Sequence, residues 1–502
     1  MSLSRRNFLA AAVAAALYTG PGLSLAQTTR KLQDHDDIAQ ASATSLARAI
    51  REKSLSSVEV VEAYLRRIDA LNSTLNAIVQ LDAERAIAAA RRADAQLSNG
   101  VDLGALHGVP ITIKDSLDTA GMVSTAGTLG RTAFVPQADA TVVARLRAAG
   151  AIVLGKTNTP ELTFSLETDN LVYGRTVNPY DVTRSPGGSS GGAAAAIASG
   201  MSALDVGSDT GASVRYPAHC CGIAGLKPTH GRVPRTGHIV SFAGVTESLT
   251  TLGPLARHVE DLDLALRIIA GPDPYDPHIA AAPLGHPDEI GLKGLRAAVF
   301  TDAGHVAASE ATVTAIGDAT DALRNADVTI EMRSPPRLDE TLDIFLGLFA
   351  GDGGEGLRGF LDMLGTTELS APVRAILDVM KDHSMSTAQY NGLVVNLDLW
   401  RSELLAFMDQ YDVLICPVCA HPAPESLNKW ESLDDVLPSE LFAYTAPFNL
   451  TGWPVAVVRI GTAPGGLPIG VQIVAKPWRE DVALAVATHL ESAFGGFVPP
   501  AL

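Results

Sequence analysis

Two serines and a lysine stand in separate glycine-bearing segments, and together they could move protons without a histidine. Ser189 lies in the run Pro186-Gly187-Gly188-Ser189-Ser190-Gly191-Gly192, and Ser213 follows 24 positions later in Thr210-Gly211-Ala212-Ser213-Val214-Arg215. Lys114 stands upstream in Gly108-Val109-Pro110-Ile111-Thr112-Ile113-Lys114-Asp115. A neutral lysine can draw a proton from one serine, which in turn activates a second as nucleophile. Small residues beside such a nucleophile let backbone N–H groups crowd against a reacting carbonyl. The chemistry these groups could do is acyl transfer from an amide.

A Gly/Ser run is ordinarily a flexible loop. This one opens directly into Ala193-Ala194-Ala195-Ala196-Ile197-Ala198, a strong helix former, so it reads as a structured loop entering a helix N-terminus. The text around it is also specific. Ser185 to Gly192, then Gly207-Ser208-Asp209-Thr210-Gly211-Ala212-Ser213-Val214-Arg215, then Cys221-Gly222-Ile223-Ala224-Gly225-Leu226-Lys227-Pro228-Thr229 follow in order. Thr157-Asn158-Thr159-Pro160-Glu161, Gly174-Arg175-Thr176-Val177-Asn178-Pro179, Phe448-Asn449-Leu450-Thr451-Gly452 and Gly466-Leu467-Pro468-Ile469-Gly470-Val471-Gln472 flank them. Over roughly 75–260 and 410–480 the chain resembles the amidase signature family.

The resemblance implies an α/β fold with a large mixed β-sheet covered by helices on both faces. It implies Ser213 as nucleophile, Ser189 as bridging serine after a cis peptide bond, and Lys114 as base. It also implies that N–H groups around Thr210, Gly211 and Ala212 hold the oxyanion, although the family more often has glycine at the position of Ala212. The substrate would be a small-molecule amide cleaved through an acyl-enzyme, with no cofactor and no metal. Family members act on primary, fatty-acyl, aryl and C-terminal peptide amides and some carbamates, and include a transamidating subunit for aminoacyl-tRNA. An aryl amide or aryl carbamate is the narrower expectation; a C-terminal peptide amide or an aliphatic amide is the alternative. For Lys114 to accept a proton its pKa must fall from about 10.4. Desolvation among Val109, Ile111 and Ile113 is expected to lower it.

Other motifs compete. Gly187-Gly188-Ser189-Ser190-Gly191 fits the nucleophile-elbow pattern, but that needs a preceding strand and 178–186 reads as loop. Ser426-Leu427-Asn428-Lys429 matches a serine–lysine motif of penicillin-recognising enzymes, a short match in a polar loop. Cys416 and Cys419 form a lone C-x-x-C; Cys220 and Cys221 are adjacent, so no second pair completes a zinc site. The cysteines read as small core residues. His107 and His219 lie near the reactive segments and read as structural or pocket residues.

The first residues bear on compartment. Ser4-Arg5-Arg6-Asn7-Phe8-Leu9, an apolar run over 9–17 and the small-residue site Ser24-Leu25-Ala26 read as a twin-arginine signal over 1–26. The run is far shorter than the ~20 residues of a membrane span. A soluble periplasmic or secreted protein is expected, monomer or homodimer, with no stable membrane insertion. The net charge of −17 argues against a nucleic-acid surface. Charge, length and export would also suit a periplasmic solute-binding protein, which would not depend on Ser213 or Lys114.

Elements must position these groups. Residues 27–502 read as one catalytic domain: a signature core over 75–260, a variable helical region over 304–408 and a C-terminal core segment over 410–502. Helical spacing covers 36–98, and short apolar strands fall at 109–113, 151–155, 295–300, 412–416 and 455–460. The first of these strands would deliver Lys114 at its end. Apolar stripes at Leu342, Phe345, Leu346 and Phe349, and at Val373, Ile376, Leu377 and Met380, put a helical layer where substrate selection is expected.

Overall fold

The computed structural model describes residues 35–102, 104–240 and 244–502, so the expected signal segment lies outside the described residues. Eleven strands are found among them: β1 (Ile78–Leu81), β2 (Pro110–Lys114), β3 (Ile152–Thr157), β4 (Leu204–Asp209), β5 (Ala224–Lys227), β6 (Thr251–Ala256), β7 (Arg296–Val299), β8 (Thr329–Met332), β9 (Val413–Pro417), β10 (Val455–Thr462) and β11 (Pro468–Ala475). Eight of them form a mixed sheet in the order β4-β6-β5-β10-β11-β9-β7-β8. The ladder is antiparallel from β4 to β9 and parallel where β7 joins β9 and β8.

Strand periodicity divides the core between two faces. Along β10, Ala456, Val458 and Ile460 join one apolar cluster, which includes residues of the helices Val259–Ile269, Glu310–Asn325 and Glu480–Ala493. Val455 and Val457 point the other way, towards the helices Ser439–Leu450 and Arg215–Cys220. Both faces are therefore covered, and the α/β sandwich expected from the sequence is the fold observed.

Two differences matter. Helical spacing alone makes 36–98 helical throughout, yet β1 separates the helices Ser57–Leu75 and Ala83–Ser98. Asn76 adopts a left-handed conformation (φ 48°) that ends the first helix, and the Asn72 side chain accepts hydrogen bonds from Ala77 N and Ile78 N. Pairing with β3 then completes the strand, a tertiary effect that local spacing does not carry. The second difference is that the sheet is not continuous. β1, β3 and β2 form a separate three-stranded sheet in that order, and β2 packs against β4 without sharing a backbone ladder.

Candidate active site

β2 ends on Lys114, which is fully buried. Its Nζ lies 2.7 Å from Ser189 Oγ, 2.9 Å from Ser190 Oγ and 3.0 Å from Ser208 Oγ. Ser189 and Ser190 come from the loop leading into the helix Gly191–Ala198, whose small residues let it be buried on all sides; Ser208 comes from β4. The Gly188–Ser189 peptide is cis. A Cβ at Gly188 would lie 2.6 Å from the Leu166 carbonyl carbon, so only glycine lets the loop sit this close to the segment 165–168.

Three hydroxyls suit an amine that changes charge. A cationic lysine donates to all three; a neutral one donates to two and accepts from the third, because each hydroxyl can rotate between donor and acceptor. Burial pushes Lys114 down, and the Asp205 and Asp209 carboxylates oppose it, leaving a pKa of about 7. The source of that burial differs from expectation. Side chains alternate along β2, so Ile111 and Ile113 face away from Lys114 and pack in the apolar core. The lysine is instead desolvated inside a closed polar cage.

Ser213 follows the end of β4 on a short loop that is tied down from below. Asp209 accepts hydrogen bonds from Val214 N, Arg215 N and the Arg215 guanidinium, whose Nη2 stands 2.9 Å from Asp209 Oδ1. Arg215 also donates to the Gly211 carbonyl, the Thr445 carbonyl, Gln472 Oε1 and Asn449 Oδ1. Burial alone would raise Asp209, but Arg215 and Asn449 outweigh it and hold the carboxyl at about 2. The ion pair is fully buried, so its geometry fixes the loop. Gly211 is required there, since a Cβ would lie 2.6 Å from Phe442 Cε1. Ala212 needs no such allowance: its side chain is buried against Tyr216, Cys220 and Leu441 without a positive φ.

Thr210, Gly211, Ala212 and Ser213 form one side of a cleft that is partly open to solvent. Ser213 is 8% exposed and Ser189 1%, so the cleft reaches Ser213 while the lysine lies sealed behind. The facing walls are apolar. Phe345 and Phe349 come from the helix Thr341–Ala350, Ile376 from Ala371–Asp382, and Phe442 from Ser439–Leu450. Phe345 packs against Phe442 with centroids 5.2 Å apart and against Phe349 at 5.9 Å. None of the described lining residues carries a charge.

Residues 59–484 match the Amidase family. The chain belongs to the amidase signature family. It is 34% identical over 477 residues to an indoleacetamide hydrolase of Bradyrhizobium diazoefficiens, covering 91% of this chain and 87% of that one. It is 35% identical over 477 residues to a glutamyl-tRNA(Gln) amidotransferase subunit of Anaeromyxobacter dehalogenans, covering 90% and 96%. A solved 6-aminohexanoate cyclic dimer hydrolase superposes with a TM-score of 0.80 at 29% identity, covering 91% of this chain and 97% of that one. This amidase is accordingly an amide-hydrolysing enzyme.

The remaining candidates of this amidase fall into structural places. His219 is fully buried; its Nδ1 accepts from Gly470 N and its Nε2 donates to the His421 carbonyl, and burial lowers it to about 4. His107 is buried with Nε2 3.1 Å from the Ala93 carbonyl. Cys220, Cys221, Cys416 and Cys419 are buried free thiols. Lys429 of the serine–lysine motif is exposed, so nothing desolvates it. The residues before Ser189 are loop, not strand, which removes the nucleophile-elbow reading. No group of three or more metal-ligating side chains occurs among the described residues.

Sequence reasoning did not single out Ser190, Ser208, Asp205, Asp209 or Arg215. A strand read over 204–209 would have found two of them, because it places Asp205 and Asp209 on one face beside the reactive loop.

Proposed function

We propose that this chain hydrolyses small, neutral amides through an acyl-enzyme on Ser213, with Ser189 and Lys114 as the proton relay. The contact of 2.7 Å between Lys114 Nζ and Ser189 Oγ, at a lysine held near pKa 7, is the observation that carries the reading. Neutral Lys114 takes a proton from Ser189 as Ser189 takes one from Ser213, whose oxygen attacks the carbonyl. N–H groups around Thr210, Gly211 and Ala212 stabilise the oxyanion. The proton returns through Ser189 to the departing nitrogen, the C–N bond breaks, and water then releases the acid by the same relay.

The uncharged aromatic walls favour an aryl or other apolar group over a charged one, since a buried charge without a partner is costly. The amide cleaved by the indoleacetamide hydrolase relative, as its name describes it, has this character. The net charge of −17 weighs against an RNA-linked substrate such as the amidotransferase relative's name implies. The twin-arginine text over 4–9 supports export; a paired Arg5→Lys, Arg6→Lys variant should accumulate in the cytoplasm, and unchanged export would contradict the signal.

The deciding experiment follows product release by mass spectrometry from primary amides, anilides, aryl carbamates, amidated peptides and esters. Release of an aryl acid or amine by the parent protein but not by Ser213→Ala is expected. Equal release by both proteins would remove Ser213 as nucleophile.

A further inference from the structure

The two sheets meet edge to edge at the strand that carries Lys114, and side chains do the joining. β2 is the outer strand of the small sheet and β4 the outer strand of the large one. The Thr112 amide donates to Ser202 Oγ at 3.0 Å, and the Lys114 amide donates to Asp205 Oδ1 at 2.9 Å. Asp205 Oδ2 accepts from Thr112 Oγ1 at 2.6 Å and from Thr157 Oγ1 of β3 at 2.9 Å. One fully buried carboxylate thus binds β2, β3 and β4 together directly beneath the lysine.

β4 carries a second carboxylate, and the contrast between the two is informative. Asp209 forms a close ion pair with Arg215, so its charge is largely balanced where it stands. The hydrogen-bond donors to Asp205 are uncharged, and the cations that sense it are Lys114 and Lys156. Lys156 has its own carboxylate, Asp115, 3.6 Å away. His238 also faces Lys114, and burial, with Lys114 and Arg235 nearby, holds it well below the usual histidine range, which keeps it neutral.

We propose that Asp205 is a positioning residue for hydrolysis: it fastens the end of β2 so that Lys114 meets the serine hydroxyls, and its negative charge sets the pH at which the lysine can accept a proton. The inference rests on the relay reading above. Without Asp205 the buried lysine would keep only the Asp209 carboxylate, already paired with Arg215, to oppose its desolvation, and would stay neutral to lower pH. With it, the lysine is poised near neutrality, where a base that both takes and returns a proton works best. Burial raises Asp205 itself to about 6, with the Thr112 and Thr157 hydroxyls opposing, so it is mostly charged at the midpoint of the Lys114 titration, at about 7, and above it.

The test reads the rate at which a fluorophosphonate labels Ser213, as a function of pH, by the mass of the Ser213 peptide. In that reaction the serine oxygen displaces fluoride at phosphorus and its proton passes to the relay. Asp205→Asn keeps shape and polarity but removes the charge, so the cationic lysine loses stabilisation and the acid limb should move down by about one pH unit or more. Asp205→Ser is a second neutral variant that should move the limb the same way. Asp205→Glu, which restores charge with poorer geometry, should leave the limb in place and lower the plateau. An unmoved limb in folded Asp205→Asn and Asp205→Ser proteins would overturn the proposal. Lys114→Ala separates the two readings: undiminished labelling there removes the relay itself, whereas lost labelling there with an unmoved Asp205→Asn limb removes only the role of Asp205.

Discussion

The two sides of the cleft are built on opposite principles. The side formed by β2, β4 and the loops at 186–192 and 209–215 is polar and buried. Its lysine meets three hydroxyls, and its arginine and two aspartates are fixed by named partners. The side formed by the helices Thr341–Ala350 and Ala371–Asp382 is apolar and held by packing, ring against ring. A proton relay fails if one hydroxyl moves by an ångström, so each residue is specified by its neighbours. An apolar wall needs volume and shape, which many side-chain combinations supply. On the proposed function, the difference separates chemistry from selection within one site.

The largest effects should come from the polar side. Lys114→Ala and Ser213→Ala should each lower kcat by about 10⁴-fold or more, as for other residues that act as one unit. Circular dichroism should show both variants folded. A relay that survived either change would erase the contrast between the two sides.

Removing the support beneath the loop should show in stability. Arg215→Met leaves Asp209 buried without its cation and should cost about 3–5 kcal/mol, read from the urea midpoint. A change within experimental error would mean that the loop is held by packing, as the other wall is.

A smaller, selective effect is expected from the apolar side. Phe349→Leu should reduce kcat/KM for an aryl amide about tenfold while a short aliphatic amide changes by less than about twofold. Equal losses on both substrates would show the wall serving the fold instead of selection.

The smallest effect concerns the join between the sides. Glu161 accepts hydrogen bonds from Thr128 Oγ1 and from Ser370 N at the start of the helix that carries Ile376. Glu161→Gln keeps the shape and should cost about 1 kcal/mol in thermal or urea unfolding.

The same contrast explains what is legible in the sequence. Short apolar runs locate β2, β3, β7, β9 and β10 within a residue or two, because buried strands concentrate such residues. β4 escapes such a reading: in Leu204–Asp209 only Leu204 and Val206 are apolar, and two aspartates, a glycine and a serine break the run, since its side chains serve the site and the sheet junction as well as the core. Lys114, Ser189 and Ser213 stand out by residue type and spacing. The structure brings Lys114 and Ser189 into hydrogen-bond contact and sets Ser213 on the cleft wall. Asp205 and Arg215 do not stand out, because an isolated acid or base in sequence gives no sign that it will be buried. The stripes at 342–349 and 373–380 locate the apolar wall, but only the tertiary packing turns Phe345, Phe349 and Ile376 towards Ser213.

The most direct test of the account is kcat/KM for a neutral aryl amide as a function of pH. In the proposed relay Lys114 must be neutral to accept a proton and its pKa is about 7, so activity should rise through that pH and level off above it. A rate highest near pH ~5, where such a lysine would be cationic, would contradict Lys114 as the base.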